Sequence, residues 1–274
     1  MHNLQITNID PVKRDRVVSL RCSPGKFVDL VKATPDEIKD RLRAMGFGGP
    51  LEFKPTSLPR MLLIWLMDKF NPESMSLELG MGKVIEINEH AVWCMFMLNR
   101  VGNDPPNMDM VEAWEMRNSL SLQVHGVMGN KILPKVIKEK IQFCTLQGDV
   151  AVRCWLMHAF CTLLFANTDN YIRLDDIIWT ADVRCISGIN WCKAVVDDLR
   201  HAARLYRHES FLKGKIAPIN GCGIFLVMSY LIILSFFLLL SPFMKLGYIY
   251  HCNWCRVIVA TGFFFLLFQF FVLF

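Results

Sequence analysis

Apolar side chains recur every three or four positions through most of residues 31–215, the spacing of helices that share one core. The first clear helix start is Thr34-Pro35-Asp36-Glu37, with Thr34 as cap, Pro35 in the first turn and Glu37 closing a capping box. Ile38, Leu42 and Met45 then share a face, and Gly46 is a stop. Beyond the bend Gly46-Phe47-Gly48-Gly49-Pro50, Ser57 is placed to cap a helix through Met61–Met67 that is apolar nearly all round, hence predicted to be buried. The period changes from 3.6 to 2 at Leu77-Glu78-Leu79 and Val84-Ile85-Glu86-Ile87, which flank Gly80-Met81-Gly82-Lys83 and predict a β-hairpin.

Helical spacing then returns. Asn88 is a cap for a buried helix over Glu89–Leu98, and the loop Gly102–Pro106 separates it from a polar helix around Met110–Asn118. Ser119–Asn130 carries no decisive period, and Pro134 can open a helix. Asp149 begins a long apolar helix through Val152, Trp155, Leu156, Phe160 and Leu164, broken by Asn167-Thr168-Asp169-Asn170. A final amphipathic helix starts near Asn190, with Val195, Leu199, Ala202 and Tyr206 on one side and Arg200, Arg204 and Arg207 mainly on the other. Residues 1–30 read as an irregular arm that extends to about residue 33, with a charge run at Lys13-Arg14-Asp15-Arg16. The prediction is a mostly α chain with one small β-hairpin: a helical domain over 31–215, then a two-helix transmembrane hairpin.

Composition sharpens the picture of that tail. From Ile224 to Phe274 there is no Asp or Glu, only Lys245 and Arg256 carry fixed charge, and 11 of the 20 phenylalanines fall there. Residues 224–243 and 257–274 each approach the roughly 20 apolar residues that span a bilayer, and the short link between them predicts a hairpin. Thirteen Leu, Ile, Phe or Val positions over 224–240 favour insertion by about 4 to 8 kcal/mol. The cations Arg200, Arg204, Arg207, Lys213 and Lys215 precede the first span, which by the positive-inside rule predicts a cytosolic N-terminal domain and C-terminus. The other reading of a Phe-laden run is a retained intron or gene-model artefact, since Phe, Leu and Ile codons are T-rich.

With the tail set aside, residues 1–223 hold 28 of the 30 Lys and Arg against all 25 acids. That balance is far from the strong basic excess of most nucleic-acid-binding domains. The N-terminus lacks the charged and apolar regions of a signal peptide, so most of the ten scattered cysteines are expected as reduced, buried thiols.

Several groupings invite chemistry. Gly46–Pro50 is glycine-rich, but no Lys-Ser/Thr follows and no strand precedes it, so a bend is expected rather than a phosphate loop. His90 with Cys94 and His158 with Cys161 have the spacing of a helical base–nucleophile pair, yet both lie in apolar helices where a core histidine is the commoner outcome. His251-Cys252-Asn253-Trp254-Cys255 offers a Cys-x-x-Cys without the second pair that a structural zinc site needs; acylation of either thiol is chemically open. Asp175-Asp176 and Asp197-Asp198 are candidate acid–base or Mg²⁺ groups, but adjacent helical positions diverge and a solvated surface is expected. No catalytic, cofactor or metal residues are predicted. The Arg200, Arg204, Arg207 stripe is the candidate contact with an anionic surface, whether phosphates of nucleic acid or acidic lipid.

Six blocks occur in an order that is itself informative: Met45–Gly49, Leu58-Pro59-Arg60, Glu89–Cys94, Leu163–Thr168, Trp191–Asp197 and Ile219–Cys222. Together they resemble the helical domain of the plant mobile domain class, also labelled aminotransferase-like, and are similar to transposon-derived grass proteins that often carry a SUMO-protease domain. The resemblance covers Phe27 to Tyr230 and implies a plant domain descended from a mobile element, with nuclear or chromatin-associated relatives and no catalytic residues to carry over. Pyridoxal phosphate chemistry is not expected, for want of its α/β fold. After Tyr230-Leu231 the chain departs from the family and runs directly into the apolar tail. The expected function is a non-enzymatic helical domain anchored to a membrane, with the lipid bilayer as partner through the tail and no cofactor. The alternative is a soluble nuclear module that binds protein or nucleic acid and whose tail is not made.

Overall fold

The computed structural model describes residues 18–244, except Met81, Met128, Asn130, Asn170 and 213–216, and except the side chains of residues 211–212 and 236–244. Among these the chain is mostly helical, with one small antiparallel sheet.

Order begins earlier than the hydrophobic pattern predicts. Pro24 opens helix α1 (Pro24–Ala33), which buries Phe27, Val28 and Leu30 where irregular chain is expected. Ten residues with one buried stripe are too few for periodicity alone to stand out. Thr34 does not cap the next helix. Its hydroxyl donates to the Leu30 carbonyl at 2.7 Å and accepts the Trp155 indole N–H at 2.9 Å, so it serves the core. Helix α2 (Asp36–Ala44) therefore starts from Pro35 without a side-chain cap, and Gly46, at φ +87°, ends it.

The bend that follows is a single helical turn, α3 (Gly48–Leu51), wedged against the helix that ends at Phe96. A Cβ on Gly49 would overlap the Phe96 carbonyl, lying 2.6 Å from its carbon and 2.9 Å from the Met97 Cβ. Glycine is thus demanded here by proximity, not by φ. Gly49→Ala is expected to lower stability by at least about 3 kcal/mol, because backbone rather than a flexible side chain must move. Denaturant midpoints of the two proteins check this, and a shift within error would show that the two segments can part.

Helix α4 (Arg60–Lys69) buries Leu63, Ile64, Leu66 and Met67, but Met61 and Trp65 reach the surface at 56% and 38% exposure, so it is one-sided rather than wholly internal. Ser57 does not cap it; Pro59 occupies that position. The predicted hairpin is present as β2 (Ser76–Gly80) and β3 (Lys83–Glu86). A third strand, β1 (Phe70–Asn71), pairs antiparallel with β2 and places Phe70 opposite Leu77. Two residues cannot display a period, which is why β1 escapes the sequence pattern.

Asn88 caps α5 (Glu89–Phe96) as expected, accepting the Ala91 N–H at 3.0 Å. Helix α6 (Met110–His125) absorbs the ambiguous stretch as far as His125, with Asp109 as its cap and Gly126 at its end. Helices α7 (Pro134–Gln142) and α8 (Gly148–Ala159) follow, and α8 continues into a π-helical turn, Phe160–Leu164. Helix α9 (Leu174–Trp179) and a 3₁₀ segment (Val183–Gly188) lead to α10 (Trp191–Arg207), where Asn190 accepts the Lys193 N–H at the cap.

The core is aromatic. Phe27 meets Trp155 at 5.7 Å and Phe53 at 6.1 Å; Phe53 meets Phe96 at 5.7 Å, and Phe96 meets Phe225 at 6.3 Å. A neighbouring group joins Phe47, Phe160, Phe165, Trp179 and Trp191, with centroids 5.0 Å apart for Phe160–Trp191 and Phe165–Trp179. Both buried indoles find acceptors, Thr34 for Trp155 and the Ile186 carbonyl for Trp191, as burial requires.

Phe225 belongs to the last helix among the described residues, α11 (Gly223–Met244). The chain reaches it along a strap, 217–222, in which Ile219 exchanges backbone hydrogen bonds with Ser19 and Arg21, and the Gly221 N–H donates to Ala166 at 2.6 Å. Ile224, Phe225, Leu226 and Val227 are at most 2% exposed. One compact unit extends through Val227 and a second begins at Met228. In the second unit Leu234 is 38% exposed and the Ser235 hydroxyl folds back on the Leu231 carbonyl at 2.8 Å. Among the described residues no helix is long and apolar enough to cross a membrane. The side chains of α11 are described only as far as Ser235, and the predicted span 257–274 lies outside the described residues.

Candidate functional site

The arginine stripe is where the sequence puts it, on α10 opposite buried Val195, Leu199, Ala202 and Tyr206, but each guanidinium has a partner within the domain. Arg200 donates to Asp197 at 2.9 Å. Arg204 grips both oxygens of Glu73 at 2.9 and 2.7 Å, and that hydrogen bond holds the Glu73 carboxyl below its ordinary range. Arg207 donates to the Phe70 carbonyl at 2.7 Å. The stripe thus fastens α10 to β1 and to the turn between β1 and β2, where Asn71 accepts the N–H groups of Glu73 and Ser74.

The two histidine–cysteine pairs have different fates. His158 is 2% exposed; its ring meets the Thr162 hydroxyl at 3.3 Å, while that hydroxyl donates to the His158 carbonyl at 2.7 Å. Cys161 turns to the Tyr171 carbonyl instead, and burial pushes its thiol up to about 12. Burial pulls the imidazole down to about 3, with Lys138 and Lys26 adding to the effect. A neutral ring and a protonated thiol are the result.

His90 and Cys94 do meet, at 3.6 Å between Nε2 and Sγ. Arg100 donates to Nδ1 of the same ring at 2.7 Å, and a guanidinium can only donate, so Nδ1 holds the lone pair. In the neutral ring Nε2 then carries the hydrogen and donates towards sulfur. It cannot accept the thiol proton there, and burial raises the Cys94 thiol. The imidazole stacks on Trp93 at 5.5 Å and Arg100 lies 5.5 Å from the same indole, with Met97 and Val101 exposed nearby in sequence.

The aspartate pairs form the one assembly that spacing did not foretell. Asp175 and Asp197 face outward, as adjacent positions on a helix require, but their partners converge on Arg173 at the start of α9. Asp176 is fully buried, accepts the Arg173 backbone N–H at 3.0 Å and pairs with its guanidinium at 2.9 Å. Asp198, from α10, stands 3.8 Å from the same guanidinium, and its Oδ2 is buried with no hydrogen-bond partner among the described residues. That oxygen lies 3.2 Å from where a Cβ on Gly221 would be. Asn167 Nδ2 and Asn220 Oδ1, also buried without partners, flank Ala166 and Gly221, the two residues joined across the strap.

Electrostatics follow from this geometry. Burial lifts both carboxyls and Arg173 lowers them; the net shift is upward for each, and Asp198, with the looser contact, goes up to about 7. Burial opposes charge on Arg173, but the carboxylates around it prevail and hold it protonated. Asp198 is therefore the described carboxyl best suited to exchange a proton near neutrality. Sequence spacing missed it because Arg173 and Asp198 are 25 positions apart and meet only when α9 packs beside α10; the Asp-Asp doublets were the available signal.

Among the described residues no three His, Cys, Asp or Glu side chains come together to hold a metal ion. His251, Cys252, Cys255 and the Lys13–Arg16 run lie outside the described residues. No curated protein and no solved structure matches the chain. A family match covers residues 20–227, ending at the last residue of the first compact unit. From the bridge at Leu20 to the buried turn at Val227, the chain belongs to the family described as a domain of unknown function, DUF8566.

Proposed function

We propose that this protein is a non-enzymatic helical interaction domain held at a membrane by residues 228–274. The observation that carries the reading is the division at Val227. The apolar turn 224–227 is already buried in the domain, whereas the sequence beyond it has no acid and only two fixed cations. From Met228 to Leu240 nine positions are Leu, Ile or Phe, and 257–274 supplies fourteen Leu, Ile, Phe or Val positions. Together they favour lipid by about 7 to 14 kcal/mol before their polar neighbours are counted. Leu234 at 38% exposure fits a surface that lipid would cover.

Losing 224–227 to the domain shortens the first lipid-facing stretch to 228–243, roughly 24 Å of helix against a hydrocarbon core of about 30 Å. The proposal is therefore attachment through both apolar stretches, with the domain on the cytosolic side as the positive-inside rule favours. Arg200, Arg204 and Arg207, each held by a partner within the domain, have no assigned part in it. The protonated Nε2 of His90 and the sealed His158 support a reading without hydrolytic chemistry. Origin as a transposon-derived plant domain belongs to the same proposal and is supported by the ordered sequence blocks alone.

Carbonate extraction tests it. The full chain should stay in the membrane pellet, and a chain ending at Tyr230 should move to the supernatant. A full chain found in the supernatant with its tail intact would defeat the proposal. The end of the family match at Val227 also favours a second reading, a soluble nuclear module with the tail spliced away, and transcripts lacking those codons in every tissue would establish it.

A further inference from the structure

We propose that Asp198 is a proton-operated latch on the strap 217–222: uncharged, it lets the strap seat against α10, and charged, it favours local opening of the strap. The inference does not depend on where the tail resides, because every group involved lies before Val227.

The strap is fastened at three points. Ile219 is bonded on both sides to the segment Ser19–Arg21, Gly221 donates to Ala166, and Gly221 lies directly on α10. At the third point the neighbours of a Cβ would be Asp198 Oδ2 at 3.2 Å, the Ala202 Cβ at 3.4 Å and the Leu199 Cα at 3.6 Å. Two of these are apolar; the other is a carboxylate oxygen without a partner. Gly221 also sits at φ +74°, a conformation glycine adopts freely, so the close approach is built into the sequence.

The charges around Asp198 make its ionisation unfavourable. Arg173 is the cation that faces it, and Arg173 is already paired with Asp176. Asp175 and Asp176 of α9 repel a second negative charge, the Cys222 thiol on the strap is held protonated beside it, and Asp197 and Arg200 on its own helix pair with each other. Ionised, the Arg173–Asp176–Asp198 group carries one uncompensated negative charge under the strap; protonated, it is neutral. The Asp198 side chain is 19% exposed but its Oδ2 is sealed, so opening the strap lets water reach that oxygen and relieves the cost. Burial pushes the carboxyl up to about 7, so the transition falls near neutral pH.

Amide hydrogen exchange on the full chain in detergent micelles reads the latch. Once intrinsic base catalysis is divided out, protection of the Gly221 amide should fall about tenfold between pH 6 and pH 8, following one ionisation. The Asn103 amide, bonded to the Gly188 carbonyl at 2.9 Å away from this cluster, should stay level. Asp198→Asn should keep Gly221 protected across the range, and Cys222→Ala, which removes the neighbouring thiol, should retain the native fall. Level protection at Gly221 in the native chain overturns the latch, as does an equal fall in Asp198→Asn or loss of the fall in Cys222→Ala. Should Asp198→Asn not fold, the native titration and Cys222→Ala still decide between these outcomes.

Discussion

A chain that stops at Gly221 is expected to stay unfolded, whereas one that stops at Tyr230 folds with the thermal stability of the full protein's domain. The part of the difference that matters is the buried turn 224–227. Ile224, Phe225, Leu226 and Val227 are at most 2% exposed, and Phe225 meets Phe96, the end of the aromatic chain that runs back through Phe53 and Phe27 to Trp155. Burying side chains of this kind contributes about 1.5 to 3 kcal/mol each, so their loss removes roughly 6 to 12 kcal/mol. That matches the whole stability of an ordinary domain, about 5 to 15 kcal/mol. Area-based sums are upper estimates, yet even half of this one, about 3 to 6 kcal/mol, reaches the lower end of that range. Deletion also exposes Leu63, which lies 2.8 Å from the Cβ position of Gly223. Far-UV circular dichroism and melting curves of the two truncated chains are the measurement. A cooperative melt from the Gly221 chain at the temperature of the longer one would return those four residues to the tail.

Hydropathy reads Ile224 as the start of a lipid-facing segment because it measures the reluctance of a side chain to face water. It carries no information on whether protein or lipid replaces that water. The same limit explains α4, where an unbroken apolar run looks internal although Met61 and Trp65 face outward. Where the signal is local, the sequence is a good guide. The Asn88 cap, the helix start near Asn190, the proline at the head of α7, the hairpin about Gly80–Lys83 and the buried face of α10 are all present. Each depends on residues within one turn or one hairpin of each other.

What could not be read are relations between distant segments. Thr34 has every local attribute of a helix cap, but the indole of Trp155, 121 positions away, claims its hydroxyl. Arg200, Arg204 and Arg207 have the spacing of an open cationic face, but Asp197, Glu73 and the Phe70 carbonyl occupy them, and the last two come from the turn between β1 and β2 and from β1 itself. Asp176 and Asp198 each sit beside an outward aspartate, so the doublets look like solvated surface; only the packing of α9 and α10 delivers one member of each to Arg173. Polar residues change role when a remote group satisfies them, and no spacing rule contains that group.

His158 shows the consequence at its largest, in the response of the fold to acid. Its imidazole is held at about 3, chiefly by burial and then by Lys138, against an ordinary value of 6.5. The unfolded chain therefore takes up a proton below pH 6.5 that the native state refuses until about pH 3. The stability that His158 contributes is complete above pH 6.5 and falls as pH drops through that window. At about 1.4 kcal/mol per unit the loss approaches 3 kcal/mol between pH 6.5 and about pH 4. His158→Gln keeps an amide able to donate to Thr162 and removes the titration. The variant should be less stable at neutral pH, yet lose about 3 kcal/mol less than the native protein across that window in urea titrations. Asp198 acts with the opposite sign: its raised carboxyl withdraws stability as pH rises through about 7, equally in both proteins, so it cancels from the difference. Parallel stability curves for the two proteins would mean that His158 accepts its proton in the folded state, and that water reaches a ring the packing of α8 is built to exclude.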